Sequence, residues 1–178
     1  PIPLIYKNKI TYKNNKRNYT ASYVGRPTHN VRLKLEKKLK NTENFFVRNL
    51  ESMDSNISSE NQSKFFNLIN DSYFSLCPRG YGPTSFRLYE SIQAGTIPIY
   101  ISDEFFLPYS DFLDWNKFSI LLKPRKISLI PKIVEEIIGS SDYVDMQNNL
   151  KVVSKDYFNF HYVSEYIRLI VEEKKEAI

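Results

Sequence analysis

The stretch SYFSLCPRGYGPTSFRLYESIQAGTIPIYISD, from Ser72 to Asp103, constrains the fold of this chain more than any other. Tyr73 to Cys77 is a short apolar and aromatic run stopped by Pro78, and Thr96 to Ile101 is a second run entered from Gly95. Both read as strands. Between them Phe86, Leu88, Tyr89, Ile92 and Ala94 recur at helical spacing, with Thr84 or Ser85 placed to cap the start and Gly95 to end the helix. Strand, loop, helix and strand in this order make a right-handed parallel unit.

The loop from Pro78 to Ser85 is where chemistry can sit. Gly80 and Gly82 let backbone approach a ligand, and the helix start that follows presents unpaired N–H groups and a positive dipole end. An anion suits this place. Arg79 adds a fork of donors matched to phosphate, and Thr84 and Ser85 add hydroxyls. Arg87 lies in the first helical turn, where the macrodipole disfavours a cation, so its position asks for an anionic partner beyond the helix. Glu90, on the same face, is suited to accept two hydrogen bonds from ribose hydroxyls. The alternative for Arg87 and Glu90 is an exposed helix pair worth a few tenths of a kcal/mol.

The run CPRGYGPTSFRLYESIQAGTIPI, followed by Ser102-Asp103-Glu104, Leu107-Pro108-Tyr109 and Asp114-Trp115-Asn116, resembles the exostosin glycosyltransferase family. The likeness covers Tyr73 to Asn116 closely and weaker stretches on both sides. It implies a Rossmann-like α/β domain, the donor-binding half of a two-lobed inverting glycosyltransferase of the GT-B type. It also implies a UDP-sugar donor, no required metal or other cofactor, and a glycan or glycoprotein acceptor. By the same likeness Arg79, Gly80, Ser85, Arg87 and Glu90 contact the donor. The Ala94-Gly95 and Ile97-Pro98 segment is shared more loosely with fucosyltransferases, which makes GDP-fucose the second donor to consider. Proteins of this kind are usually lumenal, in Golgi or endoplasmic reticulum, behind a membrane anchor; the sequence itself leaves the compartment open.

At 178 residues, with 42% hydrophobic and 25% charged positions, the chain is sized for one domain with a substantial core. A two-lobed enzyme needs about twice that. The first residue is Pro1, and the expectation is an amino-terminal acceptor domain or anchor outside the supplied chain. The formal charge of +5 fits an anionic ligand, and equally a nucleic acid or a membrane surface. The basic residues are dispersed, however, without the interleaved aromatic and basic pattern of a nucleic-acid face, so no nucleic-acid partner is expected. The lysines of RLKLEKKLK fall opposite its apolar positions and read as a solvated face. Cys77 is the sole cysteine and sits in an apolar strand, so it reads as core, and no intrachain disulfide can form. His29 and His161 have no spacing for zinc.

Residues 1–18 are basic and Asn-rich and read as a linker, with Leu4-Ile5-Tyr6 able to lie on the core; the domain is expected over 19–178. Tyr19 to Val24 alternates into Gly25-Arg26-Pro27, and Asn30 is placed to cap a helix through Leu39 whose Val31, Leu35 and Leu39 share a face. Parallel strands bring Gly25-Arg26 to the same sheet edge as Arg79-Gly80, so Arg26 is a second phosphate-facing candidate or a plain surface residue. Phe45 to Val47 reads as a strand, Arg48 to Ser58 as a loop, and Ser59 to Gln62 as a capping box opening a helix that ends at Asn70-Asp71. Asp103 and Glu104 follow a strand at its carboxyl end. Asp103 is a candidate to orient donor or acceptor; Glu104 reads better as a turn residue. Leu107 to Tyr109 and Trp115 pack a connecting segment, and Phe118 to Leu122 is a fifth strand. Helices follow around Ile130 to Ile138, Tyr143 to Tyr157 and Tyr162 to Glu173, the last expected to bury Val163, Ile167, Ile170 and Val171.

The catalytic base has no signature; His29, Asp103, Glu104 and the absent lobe are all open. The rival to catalysis is a module that binds a nucleotide sugar or glycan without transfer.

Overall fold

The computed structural model describes residues 1–5, 17–50 and 59–176. Five strands form one sheet: β1 (Tyr19–Gly25), β2 (Phe45–Asn49), β3 (Ser72–Pro78), β4 (Ile97–Ile101) and β5 (Ile120–Leu122). Every pairing is parallel and the spatial order is β2-β1-β3-β4-β5. The order reverses between β1 and β3. Right-handed crossovers therefore put α1 (Asn30–Leu39) on one face and α2 (Ser59–Asn70) and α3 (Phe86–Gln93) on the other. The carboxyl-terminal third adds α4 (Ile130–Ile138), α5 (Asp142–Asp156) and α6 (Phe160–Glu176).

Central strands of such a sheet are buried on both faces, which explains runs that are apolar without alternation. All five residues of β4 are buried, and Phe74, Leu76 and Cys77 of β3 are fully enclosed. Burial pushes the Cys77 thiol up to about 11, the state of a core side chain rather than a nucleophile. Helix α3 ends as its glycine requires: Gly95 has φ 69°, and its N–H bonds Ile92 O at 3.1 Å.

Four local expectations are corrected. The α1 cap is His29, whose Nδ1 accepts from Val31 N at 3.3 Å; Asn30 is the first helical residue. The fifth strand begins only at Ile120, because Phe118 and Ser119 are tied back to Trp115 O. In α3, Phe86 is 65% exposed while Arg87 and Ser91 join Leu88, Tyr89 and Ile92 on the buried face. In α6 the buried stripe is turned by one residue: Val163 is buried, but Ile167 and Val171 are exposed. Tyr162 and Tyr166 take their place, packing edge-on against Tyr109 at 5.5 and 4.7 Å between ring centres. Aromatic edge-to-face packing there outweighs the aliphatic pattern.

Trp115 is buried in the connecting segment, its indole N–H bonded to Pro108 O at 2.9 Å. Leu4 and Ile5 pack on the core as expected, while Tyr6 lies outside the described residues, as do residues 51–58 of the stretch expected as a loop and the capping-box side chains Ser59 to Asn61; Arg48 and Asn49 of that stretch belong to β2 instead, paired with Val24 and Gly25. Arg17, given no role from sequence, donates to Ser72 O, to Thr96 Oγ1 at 3.1 Å and to Gly95 O at 3.2 Å, closing the amino-terminal ends of β3 and β4. Among the described residues no helix is long and apolar enough to cross a membrane.

Candidate functional site

In an open parallel sheet, ligands bind outside the carboxyl ends of the strands, where the strand order reverses and neighbouring loops diverge. Here that place is bordered by the loop after β1, Arg26 to His29, and the loop after β3, Arg79 to Ser85. The expectation that Arg26 and Arg79 share one sheet edge is met, and a single side chain ties the two loops: Arg32 of α1 donates to Arg26 O at 3.0 Å and Arg79 O at 2.9 Å. Arg32 was missed in the sequence because it lies in a run read as a solvated face. The available signal was its position, one turn into a helix that follows a glycine loop, which matches that of Arg87.

The loop after β3 is clamped at both ends. Arg79 N–H bonds Ile101 O at 2.9 Å, and the Tyr100 hydroxyl bonds Pro83 O at 2.6 Å. Gly80 is buried, and a Cβ there would stand 3.1 Å from Arg32 Nη2, so its glycine serves close approach. At the tip, Tyr81 is 86% exposed, and a Cβ on Gly82 would meet nothing within 4 Å. Ser85 is the N-cap residue of α3 by backbone, but its side chain caps nothing. Thr84 is half-buried beside it. The α3 start thus keeps N–H groups that the side chain of its N-cap residue does not satisfy.

Arg79 turns its guanidinium to Asp103 at the end of β4, 3.2 Å away, with Asp103 about half exposed (53%). Among the described residues, Arg79 Nε is buried without a hydrogen-bond partner, as is Thr28 Oγ1 in the first loop. Asp103 is held in turn through its carbonyl by Lys123. Glu104 follows Asp103 in a bend, its N–H bonded to Ser102 Oγ at 3.3 Å. Arg26 is exposed.

Arg87 and Glu90 come together, though neither as the open anion ligand nor as the exposed pair. Arg87 is 8% exposed, its guanidinium 4.0 Å from the Phe65 ring centre and 5.5 Å from that of Tyr23, with Nη2 donating to Val24 O. Its carboxylate partner belongs to the same helix: Nε is 4.0 Å from Glu90 Oε2. Nε and Nη1 have no hydrogen-bond partner among the described residues. Burial lowers the Arg87 pKa, and burial raises that of Glu90 against the pull of Arg87. In both cases desolvation exceeds the mutual attraction. The Glu90 side chain keeps 17% exposure and faces Arg87 across 4.0 Å, beyond hydrogen-bond reach, so that contact leaves its acceptor capacity unspent.

A five-stranded parallel sheet in this order, covered by helices and opening at its reversal point, defines a Rossmann-like α/β domain. The solved structure of TarM superposes on 92% of this chain with a TM-score of 0.58 at 10% identity, this chain matching 37% of TarM. The family profile of the exostosin GT47 domain matches residues 2–137. The chain belongs to that glycosyltransferase family, as its central motif led us to expect. Among curated relatives, a probable glucuronosyltransferase 47 A of Physcomitrium patens is 32% identical over 78 residues, 44% of this chain and 17% of the relative. An exostosin-1 homolog of Caenorhabditis elegans is 39% identical over 67 residues, 38% of this chain and 18% of the relative. The chain thus matches less than a fifth of either relative's length.

Proposed function

We propose that this domain binds a UDP-sugar at the β1/β3 crevice and supplies the donor side of an inverting glycosyl transfer to a glycan hydroxyl. The observation that carries the reading is the clamped Arg79–Ser85 loop set against an α3 start whose cap side chain is unused, with a partly open Glu90 carboxylate one to two turns along. Donors at the loop and helix start suit a diphosphate, and an acceptor-only carboxylate suits a ribose diol.

In this reaction the acceptor oxygen attacks the anomeric carbon from the face opposite UDP. The bond from that carbon to the diphosphate oxygen breaks, and its electron pair leaves with UDP. Arg79 and the α3 N–H groups offset the charge that grows on the departing diphosphate. A base must take the acceptor proton. His29 Nδ1 is occupied as a helix cap, and Asp103 is engaged by Arg79, so neither is assigned as that base. Arg87, buried beneath Glu90, serves to hold that carboxylate in place.

Calorimetric titration of the chain with UDP tests the proposal, with Arg79→Ala and Glu90→Gln as variants. We expect saturable binding, weakened about tenfold or more in each variant, as the loss of one charge-assisted hydrogen bond implies. A folded chain that ignores UDP but binds oligonucleotide in a salt-dependent manner would overturn the proposal.

A further inference from the structure

The two loops that border the crevice are joined by a residue with no role in the chemistry above. Arg32 projects from α1 and spends its donors on main-chain carbonyls of both loops: Nε to Arg79 O at 2.9 Å, Nη2 to Pro78 O at 3.4 Å and Nη1 to Arg26 O at 3.0 Å. Its own carbonyl accepts from Asn49 Nδ2 at 3.1 Å, which anchors this part of α1 to β2. No ion pair with a carboxylate engages it among the described residues. Gly80 makes the contact possible, since a Cβ would press to 3.1 Å from Nη2 and 3.4 Å from Thr28 Oγ1.

A guanidinium is planar and rigid, so three carbonyls bound to one of them are fixed relative to one another; an ammonium carries the same charge without that geometry. The carbonyls concerned belong to Pro78 and Arg79, where the Arg79–Ser85 loop begins, and to Arg26 in the loop opposite. We infer that Arg32 is a positioning residue for the donor diphosphate: without touching the ligand, it sets the separation of the two loops and the course of the backbone through Arg79 and Gly80. The inference rests on the donor-site reading above. Misplacement of a binding loop by about 1 Å is enough to cost one to two orders of magnitude.

The test compares UDP with uridine on the whole 178-residue chain, in wild type, Arg32→Lys, Arg32→Met and Gly80→Ala. UDP affinity is followed by calorimetry, uridine by ligand-observed NMR, and hydrogen exchange is read at residues 79–85 without ligand. We expect each variant to weaken UDP about tenfold or more, to leave uridine within a factor of two, and to speed exchange in the loop but not in β3 or β4. Arg32→Lys binding UDP as wild type does would show that charge alone matters and overturn the inference. Equal losses for UDP and uridine would overturn it too, assigning Arg32 to general stability. Should Arg32→Met fail to fold, Arg32→Lys and Gly80→Ala carry the same comparison. Absence of UDP binding in wild type, with loop exchange still dependent on Arg32, would remove the donor reading itself and with it the inference.

Discussion

Arg87 Nε and Glu90 Oε2 face each other at 4.0 Å within one turn of α3, both largely withdrawn from water, too far apart for a hydrogen bond. The pair has a pH signature. Burial raises the Glu90 pKa above its ordinary 4.5 in spite of Arg87, so the folded state resists ionising it. Below 4.5 the carboxyl is neutral in both states and carries no penalty; as pH rises through the folded pKa, stability is lost. Glu90→Gln, which mimics the neutral acid, should therefore be at least as stable as wild type at pH 7, and the two should converge towards pH 4. Urea denaturation at both pH values checks this; a variant less stable at pH 7 would contradict it. UDP affinity should still fall, separating stability from binding.

Asp103 competes for Arg79. The exposed ion pair, at 3.2 Å, contributes about 1 kcal/mol or less to stability. If Arg79 serves the diphosphate, Asp103→Asn frees its guanidinium and should tighten UDP a few-fold with little change in melting temperature. A loss of affinity would instead make Asp103 a donor contact in its own right, and titration of the variant decides between the two.

Glu36 ties α1 to β2 by accepting from Asn49 N at 3.0 Å and Asn49 Nδ2 at 2.8 Å. These bonds hold its pKa below the ordinary 4.5. Their stabilisation is complete above 4.5 and is lost as pH falls through the lower folded value. Glu36→Gln should cost about 1 kcal/mol at neutral pH and nothing in strong acid, measured by denaturant unfolding across that range. A pH-independent difference would speak against the two bonds as its source.

Tyr89 is fully buried, and its hydroxyl finds no hydrogen-bond partner among the described residues. An unsatisfied buried hydroxyl costs about 1–3 kcal/mol. Tyr89→Phe keeps the ring that packs 6.1 Å from Phe158 and removes the penalty. Its melting temperature should rise by about 2–4 °C for each kcal/mol recovered. A fall would reveal a partner for the hydroxyl.

The sequence by itself determined the order of strands and helices between Tyr19 and Ile101 among the described residues, because apolar runs, glycine stops and parallel crossovers are local patterns with few solutions. It likewise carried the family likeness, and it put Arg26 and Arg79 on one edge, since parallel strands leave no other arrangement. Tertiary structure decided what each charged side chain faces. Arg87 and Glu90 share a spacing that an exposed pair would also have; only the rings of Phe65 and Tyr23, far away in sequence, turn them into a buried couple. Arg32 looked like one more cation on a solvated face until the fold brought three carbonyls within its reach. The stripe of α6 turned for the same reason: which residues a helix buries is fixed by the surface it meets, here the Tyr109 ring, and periodicity along one chain cannot specify its partner.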